Sequence, residues 1–368
     1  MRRHDFALVG GGIVGACLAE ELAAAGASVT VLDAGPAAGH ASRRAVGPAV
    51  PSPRHAADHD FYGWLRQASR RLREDVTRLE AEHDRFSASH PVLHVLRTGH
   101  ADRLAAHVDA AGAGTWVEHE RVAELAPGLR LPADRRYLLD ETGLVVDGLQ
   151  YLSAVRACCS ALGVDWRQAT TVRDIAHTGG GVELATSAGA VRSDVAVVTA
   201  GAWSATAGLA GRAVPVRPRR HQLVTLAAEA VPPLVVASTR LLVPGPADDV
   251  IVGGAEDDAG FDERCDVSGV ARLLRFAAAA MPALARAAPA GFRAGLCAAS
   301  ATGRPLIGRV PGRERLWLAT GHDGHGLLTA RHSARGLTAG LTEGQWDTVP
   351  WIMCPHRALG GETCASTM

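Results

Sequence analysis

Residues 5–33 read DFALVGGGIVGACLAEELAAAGASVTVLD. An apolar run from Phe6 to Val9 meets Gly10-Gly11-Gly12-Ile13-Val14-Gly15, an alanine-rich helical stretch follows, and a second apolar run ends in Asp33. The order is strand, glycine turn, helix, strand, acid. Gly10 permits the tight turn, Gly12 lets the backbone approach a pyrophosphate, and Gly15 lets the helix pack closely on the sheet. The helix start offers N–H groups and a partial positive charge to phosphates. Asp33 would accept hydrogen bonds from ribose hydroxyls and repel a 2′-phosphate. This fingerprint fits a dinucleotide and does not separate FAD from NAD.

Working outward, the chain has 368 residues, 47% of them hydrophobic, enough for two domains or one large interleaved one. Basic and acidic residues both number 38, so bulk charge favours neither nucleic acid nor an anionic membrane. All the basic residues are arginine, which excludes Schiff-base catalysis and lysine-assisted oxygen activation. The first strand begins at Asp5 with no room for a signal peptide and no apolar run reaches spanning length, so a cytoplasmic protein is expected. Seven scattered cysteines without C-x-x-C spacing argue against a disulfide framework and against a metal site.

After Asp33 and Ala34, a stretch rich in Gly, Pro, Ser and Arg reads as a long loop, in which Ser42, Arg43 and Arg44 either face nucleotide phosphates or form a solvated turn. Residues 61–82 carry helical spacing, with Arg70/Glu74, Arg71/Asp75 and Arg78/Glu82 expected to pair on the outer face. Asp147 is placed to cap a helix with a Leu149, Leu152, Val155, Cys159, Leu162 stripe. Strands at 164–166, 182–185 and 190–192 suggest a small meander, followed by the buried strand of DVAVVTAGAWS with Ala200, Gly201 and Trp203. Strands are expected at 221–226, 241–243 and 250–252, a helix at 267–281, and a closing strand, glycine turn and helix in RLWLATGHDGHGLLTARHSARGLTAGL. The tail is expected to pack irregularly or not at all.

Three distant segments, 5–15, 195–204 and 316–330, thus each deliver backbone toward one cofactor-sized site. With the words GGGIVGACLAEELAAAGASVTVLDAG, VVTAGAWS, GFRAGLCAASATGRPLIG and LATGHDGHGLLTA in this order, the chain resembles the glycine oxidase and D-amino acid oxidase family of FAD enzymes. The resemblance implies an α/β fold: a discontinuous Rossmann-like FAD-binding domain (1–47, 145–215 and 296–344) and an α+β substrate domain on a mixed or antiparallel sheet (48–144 and 216–295), with a tail from 345 to 368. It implies that Val172 contacts the adenine through its backbone, and that the closing helix, starting near Gly321, Gly324, His325, Gly326 and Leu327, points at the flavin pyrimidine edge. A helix end stabilises a nearby anion by about 0.3–1 kcal/mol, up to ~2 when partly buried.

The resemblance also marks departures. Where amino-acid oxidases of the family read G-L-R-P, with an arginine that clamps the substrate carboxylate, this chain has Gly295-Leu296-Cys297-Ala298. A tyrosine that follows the position of Arg240 is replaced by Leu241. Either Arg43, Arg44, Arg240 or Arg304 holds the carboxylate, or the substrate is not a simple free amino acid; the second fits better. Cys297 matches a cysteine that carries flavin covalently in sarcosine oxidases, and reads otherwise as a small pocket residue. His322 and His325 either contact flavin or substrate or satisfy the loop backbone.

The expected function is an FAD-dependent oxidase of a glycine-type or N-carboxymethyl amine: hydride passes to flavin, water hydrolyses the imine, and O2 is reduced to H2O2. Some relatives act in natural-product pathways, and a lysine-free chain without the clamp fits such a specialised member. The alternatives are a dehydrogenase using another acceptor and a non-catalytic flavin-binding partner protein. The expected partners are a small amine or amino acid and O2, with self-association left open.

Overall fold

The structure, a computed structural model, describes residues 3–35, 40–205, 213–245, 249–347 and 349–360. Parts of the tail, residues 348 and 361–368, lie outside the described residues.

The opening strand Arg3–Val9 pairs in parallel with Val29–Leu32 on one side and with the long strand Gly189–Val198 on the other. Its alternation sorts the core. Phe6 and Leu8 face a helix layer, whereas Ala7 and Val9 face a second apolar cluster on the opposite side. The sheet has eight strands among the described residues, and the closing strand Leu316–Thr320 joins it in parallel beside residues 196–198. Parallel strands covered on both faces read as continuous apolar runs, as these do.

Two expectations about this sheet change. The strand Asp165–Arg167 is no part of the meander; it pairs in parallel with Val29–Leu32 at the far edge. The meander is instead Val172–Thr178, Gly181–Thr186 and the first half of Gly189–Val198, whose second half continues into the parallel layer. The expected strand at 190–192 and the buried strand after it are therefore one element, because nothing in GAVRSDVAVV breaks an extended run.

A second eight-stranded sheet runs, in spatial order, Ala288–Ser300, Val216–Ala227, Asp249–Asp257, Leu241–Pro244, Val235–Ala237, Val92–Arg97, Arg135–Asp140 and Thr115–Val117. All neighbours are antiparallel except Val235–Ala237 with Val92–Arg97, so the sheet is mixed as expected. The thirteen-residue strand Ala288–Ser300 spans residues 295 and 296, between which the resemblance implied a domain boundary. A three-stranded sheet, Val46–Pro48, Leu144–Asp147 and Ser87–Ser89, lies between. The expected loop after Ala34 contains a short helix, His40–Arg44, as well as the first of these strands.

The helix layer of the first sheet holds Ile13–Ala24, His59–Glu80, Gly148–Ala161 and Gly326–Glu343. Asp58 and Asp147 cap their helices by accepting from Phe61 N–H and Gln150 N–H. Leu149 and Leu162 are exposed; Tyr151, Leu152, Val155 and Cys159 form the actual buried stripe.

Asp75 corrects the expectation of an outer-face pair. It is buried, and its carboxylate accepts from Arg331 Nε at 2.8 Å, Tyr151 Oη at 2.7 Å and Arg78 Nη2 at 2.7 Å. Arg331, on the closing helix, also reaches Glu20 at 2.5 Å and Glu21 at 3.0 Å on the first helix. Arg78 completes the ring on Glu20 at 2.8 Å. Each of the three nitrogens of the Arg331 fork donates to a carboxylate, as a buried guanidinium requires. This network ties together the two helices whose N-termini open on the site described below.

Residues Trp351–Met353 and Pro355–Leu359 form short helical turns, Met353 and Cys354 are buried, and Cys354 takes part in a disulfide.

Candidate functional site

Two adjoining cavities lie between the two large sheets. The first, about 430 Å³, is lined by Gly10, Gly12, Ile13, Val14, Asp33, Ala34, Ser42, Ala200, Gly201, Trp203, Cys297, Gly321, His322 and Gly326, among others. The second, about 790 Å³, takes in Arg44, Gly295, Gly324, His325 and Leu327. Ile13, Ser42, Cys297, Asp323 and Gly326 line both, so the cavities share a wall.

The first cavity is built mainly of backbone. Gly10 adopts φ +111°, and a Cβ there would fall 2.7 Å from the Ala200 Cα. Gly15 lines neither of these two cavities but packs beneath the turn: a Cβ would sit 2.1 Å from the Gly10 carbonyl oxygen. The first helix opens at Gly12, which has no side chain to cap it, and its Ile13 N–H donates to Ser42 Oγ at 3.1 Å. At the end of the second strand, the Asp33 carboxylate accepts from Gly11 N–H at 2.5 Å and Gly35 N–H at 2.9 Å. A carboxylate has about four acceptor sites, so two remain for ribose hydroxyls. Open helix start, Cβ-free approach and held acid fit the pyrophosphate and adenosine of FAD.

The Val172 side chain is buried in the meander core and lines neither cavity. Two residues before it, Thr170 N–H donates to the Asp33 carbonyl at 2.8 Å, which brings that segment beside the adenosine end.

At the shared wall, the closing helix begins at Gly326, again with no side-chain cap. His322 is buried, its Nε2 lies 3.2 Å from Ser333 Oγ, and burial pushes its imidazole down to about 4. His325 packs its ring 5.2 Å from that of His55. Burial first, then Arg54 and His55, hold it well below the usual range, so both histidines are neutral at neutral pH. Cys297 lies opposite Arg219 in the sheet. Burial pushes its thiol up to about 12, with Asp323 and Glu256 adding to the shift, so it is no thiolate at neutral pH.

Among the arginines singled out from the sequence, Arg44 lines the second cavity, but Nη1 donates to the Ala294 carbonyl and lies 3.5 Å from Glu263. Arg43 lines neither cavity. The Arg240 guanidinium sits 5.9 Å from the Phe276 ring centre, and Arg304 is committed to Asp58, with Nε at 2.6 Å. Neither of those two lines a cavity, which weakens Arg240 as a substrate contact.

The structure adds residues that sequence reasoning passed over: Arg54, His94, His221, Glu256 and Asp323 line the second cavity. Two carried a readable signal. His94 interrupts an apolar strand, and Asp323 is an acid inside a glycine turn, where it adopts φ +47°. Left-handed backbone at a non-glycine residue is concentrated at functional sites. Among the described residues no cluster of His, Cys, Asp or Glu suits a metal ion, and no helix is long and apolar enough to cross a membrane.

Residues 5–340 match the model of the family described as FAD dependent oxidoreductase. The chain belongs to that family. It is glycine-oxidase-like within it and FAD is its cofactor: over 363 residues it is 30% identical to glycine oxidase of Pseudomonas aeruginosa, covering 92% of this chain and 94% of that one. Glycine oxidase from Geobacillus kaustophilus superposes with a TM-score of 0.87 at 23% identity, over 97% of this chain and 99% of that one. An iminodiacetate oxidase from Chelativorans superposes with a TM-score of 0.79 at 25% identity, over 92% and 95%. The expected α/β architecture and flavin cofactor hold for the family member described here.

Proposed function

We propose that this enzyme oxidises the C–N bond of an N-substituted glycine, with O2 as the terminal acceptor. The observation that carries the reading is the shared wall: a backbone-built dinucleotide cavity opens, at Cys297, Asp323 and Gly326, into a larger side-chain-lined one. Because His325, Gly326 and Leu327 at the start of the closing helix line this cavity of about 790 Å³, it takes the flavin ring as well as the substrate, and the side chains farther out, such as Val95, Leu223 and Leu241, line the room for a second substituent on the amine nitrogen. The iminodiacetate oxidase among the solved structures acts, by its name, on a compound of that kind.

When bound, FAD supplies the hydride acceptor, and O2 returns it to the oxidised form with release of H2O2. The chain's own residues do the rest. Asp33 and the start of the first helix hold the ribose and pyrophosphate. Neutral His322 and His325 put no extra cation beside the shared wall. With cysteine at 297, Arg54 is the best-placed cation for a carboxylate: it lines the second cavity, and its loose pair with Asp323, at 3.8 Å, leaves guanidinium donors for a substrate. Leu223, Leu241 and Val95 supply the apolar part of that cavity and limit its water.

The test is a panel of glycine, sarcosine, iminodiacetate and D-alanine, read as peroxide and as glyoxylate release. Iminodiacetate turned over well above free glycine supports the reading. Comparable turnover of D-alanine or glycine contradicts it, and dye reduction without oxygen uptake would make the enzyme a dehydrogenase.

A further inference from the structure

The second cavity carries unpaired polar atoms. His94 Nε2, His221 Nε2 and Asp323 Oδ1 are each buried without a hydrogen-bond partner, and all three residues line it. A buried polar atom left unsatisfied loses its hydration without recompense, so three around one cavity mark a wall shaped for a polar guest.

His221 is the one arranged for proton chemistry. In the large mixed sheet it lies directly opposite Glu256 on one side and Gly295 on the other. Directly paired residues share a face, so imidazole and carboxylate emerge together. His221 Nδ1 is 3.6 Å from Glu256 Oε1. An Nδ1–H turned toward a carboxylate leaves the acceptor lone pair on Nε2, the unpaired atom. Arg219, on the same face, lies 3.5 Å from Glu256 Oε2 and 3.6 Å from Asp323 Oδ2, which fixes both acids. The next paired row, Arg219 with Cys297, is where the two cavities meet.

We propose that His221, oriented by Glu256, takes the proton from the substrate's ammonium nitrogen before oxidation. This rests on the amine-oxidase reading above. A hydride leaves the neighbouring carbon only when the nitrogen lone pair is free to form the C=N bond. In the step itself the substrate N–H bond breaks, its electron pair stays on nitrogen, and an N–H bond forms at His221 Nε2. Nothing is oxidised. The imidazolium lies beside the Glu256 carboxylate, and Asp323 Oδ1 accepts from a remaining N–H. Burial pushes the His221 imidazole down, Glu256 and Asp323 push it up, and Arg219 and Arg54 push it down. Cys297, uncharged, adds no field to this balance.

The test compares flavin-loaded wild type, His221→Asn and Glu256→Gln with iminodiacetate and sarcosine across roughly pH 4.5 to 10, wide enough to hold an imidazole ionisation below the ordinary range, by anaerobic flavin bleaching. Flavin content and melting temperature report folding. In wild type kcat/KM bends at the ionisation of His221. In His221→Asn the bend vanishes, kcat/KM near neutral pH falls about 100-fold, and the rate climbs with the fraction of free amine until it approaches wild type. In Glu256→Gln the plateau falls about 10-fold and the acid limb moves to lower pH, because the carboxylate favouring imidazolium is gone. An unchanged profile in His221→Asn, or a loss equal at every pH, overturns the proposal. Should His221→Asn lose its flavin, an unchanged acid limb in Glu256→Gln overturns it. Wild type bleached by no amine overturns the amine-oxidase reading itself, and this proposal with it.

Discussion

The two cavities share a wall and are made in opposite ways. The first is contoured by backbone, and glycines at its turn, Gly10 and Gly15, let neighbouring backbone approach where a Cβ would collide. The second is contoured by side chains from several strands of the mixed sheet and the loops beside it. A backbone cradle is specified locally, because a glycine at a given offset has the same meaning wherever the turn occurs. A side-chain cavity is specified by strand register, which joins residues far apart: His221, Glu256 and Gly295 meet only through pairing. The cofactor end is therefore common to a family, and the substrate end is free to diverge.

The largest effect should erase the distinction. Arg331 holds the closing helix to the first helix, so Arg331→Met removes the buried cation and leaves buried Asp75 and Glu20 to share the half-exposed Arg78. The expected loss is about 3–5 kcal/mol in denaturant unfolding, with flavin retention and turnover failing together. Survival of either one alone would mean the helices are positioned by something other than this network.

Gly15→Val should strike the cradle. Its Cβ would press on the Gly10 carbonyl, at a cost of about 1–3 kcal/mol, and the purified protein should hold little FAD. Flavin retained at the wild-type ratio would contradict the packing role given to this glycine.

Arg54→Met should strike only the second cavity. FAD content stays at the wild-type ratio while KM for iminodiacetate rises about 10- to 100-fold, as removal of a charge-assisted hydrogen bond implies. An unchanged KM would move the carboxylate elsewhere.

Acid should weaken both walls alike. His322 in the first cavity and His94 in the second are each held near 4 by burial, against about 6.5 unfolded. The unfolded chain then binds more protons, so their contribution is full above about pH 6.5 and is lost as pH falls toward 4, by up to about 1.4 kcal/mol per pH unit for each group. Melting temperatures followed across that window should fall steadily. A flat profile would mean that both imidazoles take up a proton without cost.

The smallest effect belongs to Cys297→Ser, expected to change stability by less than about 1 kcal/mol and to leave flavin binding intact, since the thiol is not poised to react. Acid precipitation should release FAD from wild type. Flavin that stays with the pellet would show a covalent bond.

This contrast also explains what could be read in the chain. The opening fingerprint, Asp33, the helix cap at Asp147 and the closing turn were legible because each is a local pattern of turn, cap or period. Asp75 was misplaced on an outer face because charge spacing along one helix cannot reveal that Arg331 arrives from another. The strand Ala288–Ser300 was missed where glycine and alanine dilute the alternating pattern, and its place is fixed by pairing with Val216–Ala227. Arg54, His221 and Glu256 sit in ordinary-looking stretches, and only the assembled sheets turn them toward one cavity.

The account's central claim is a division of labour across the shared wall. A crystal structure of the flavin-loaded chain, soaked with iminodiacetate under anaerobic conditions, tests it most directly. The adenosine end should lie against Asp33, the pyrophosphate along Gly10 to Gly15, and the amine in the second cavity with its nitrogen beside His221 and its carboxylate near Arg54. Flavin bound elsewhere, or the amine absent from that cavity at saturating concentration, would contradict it.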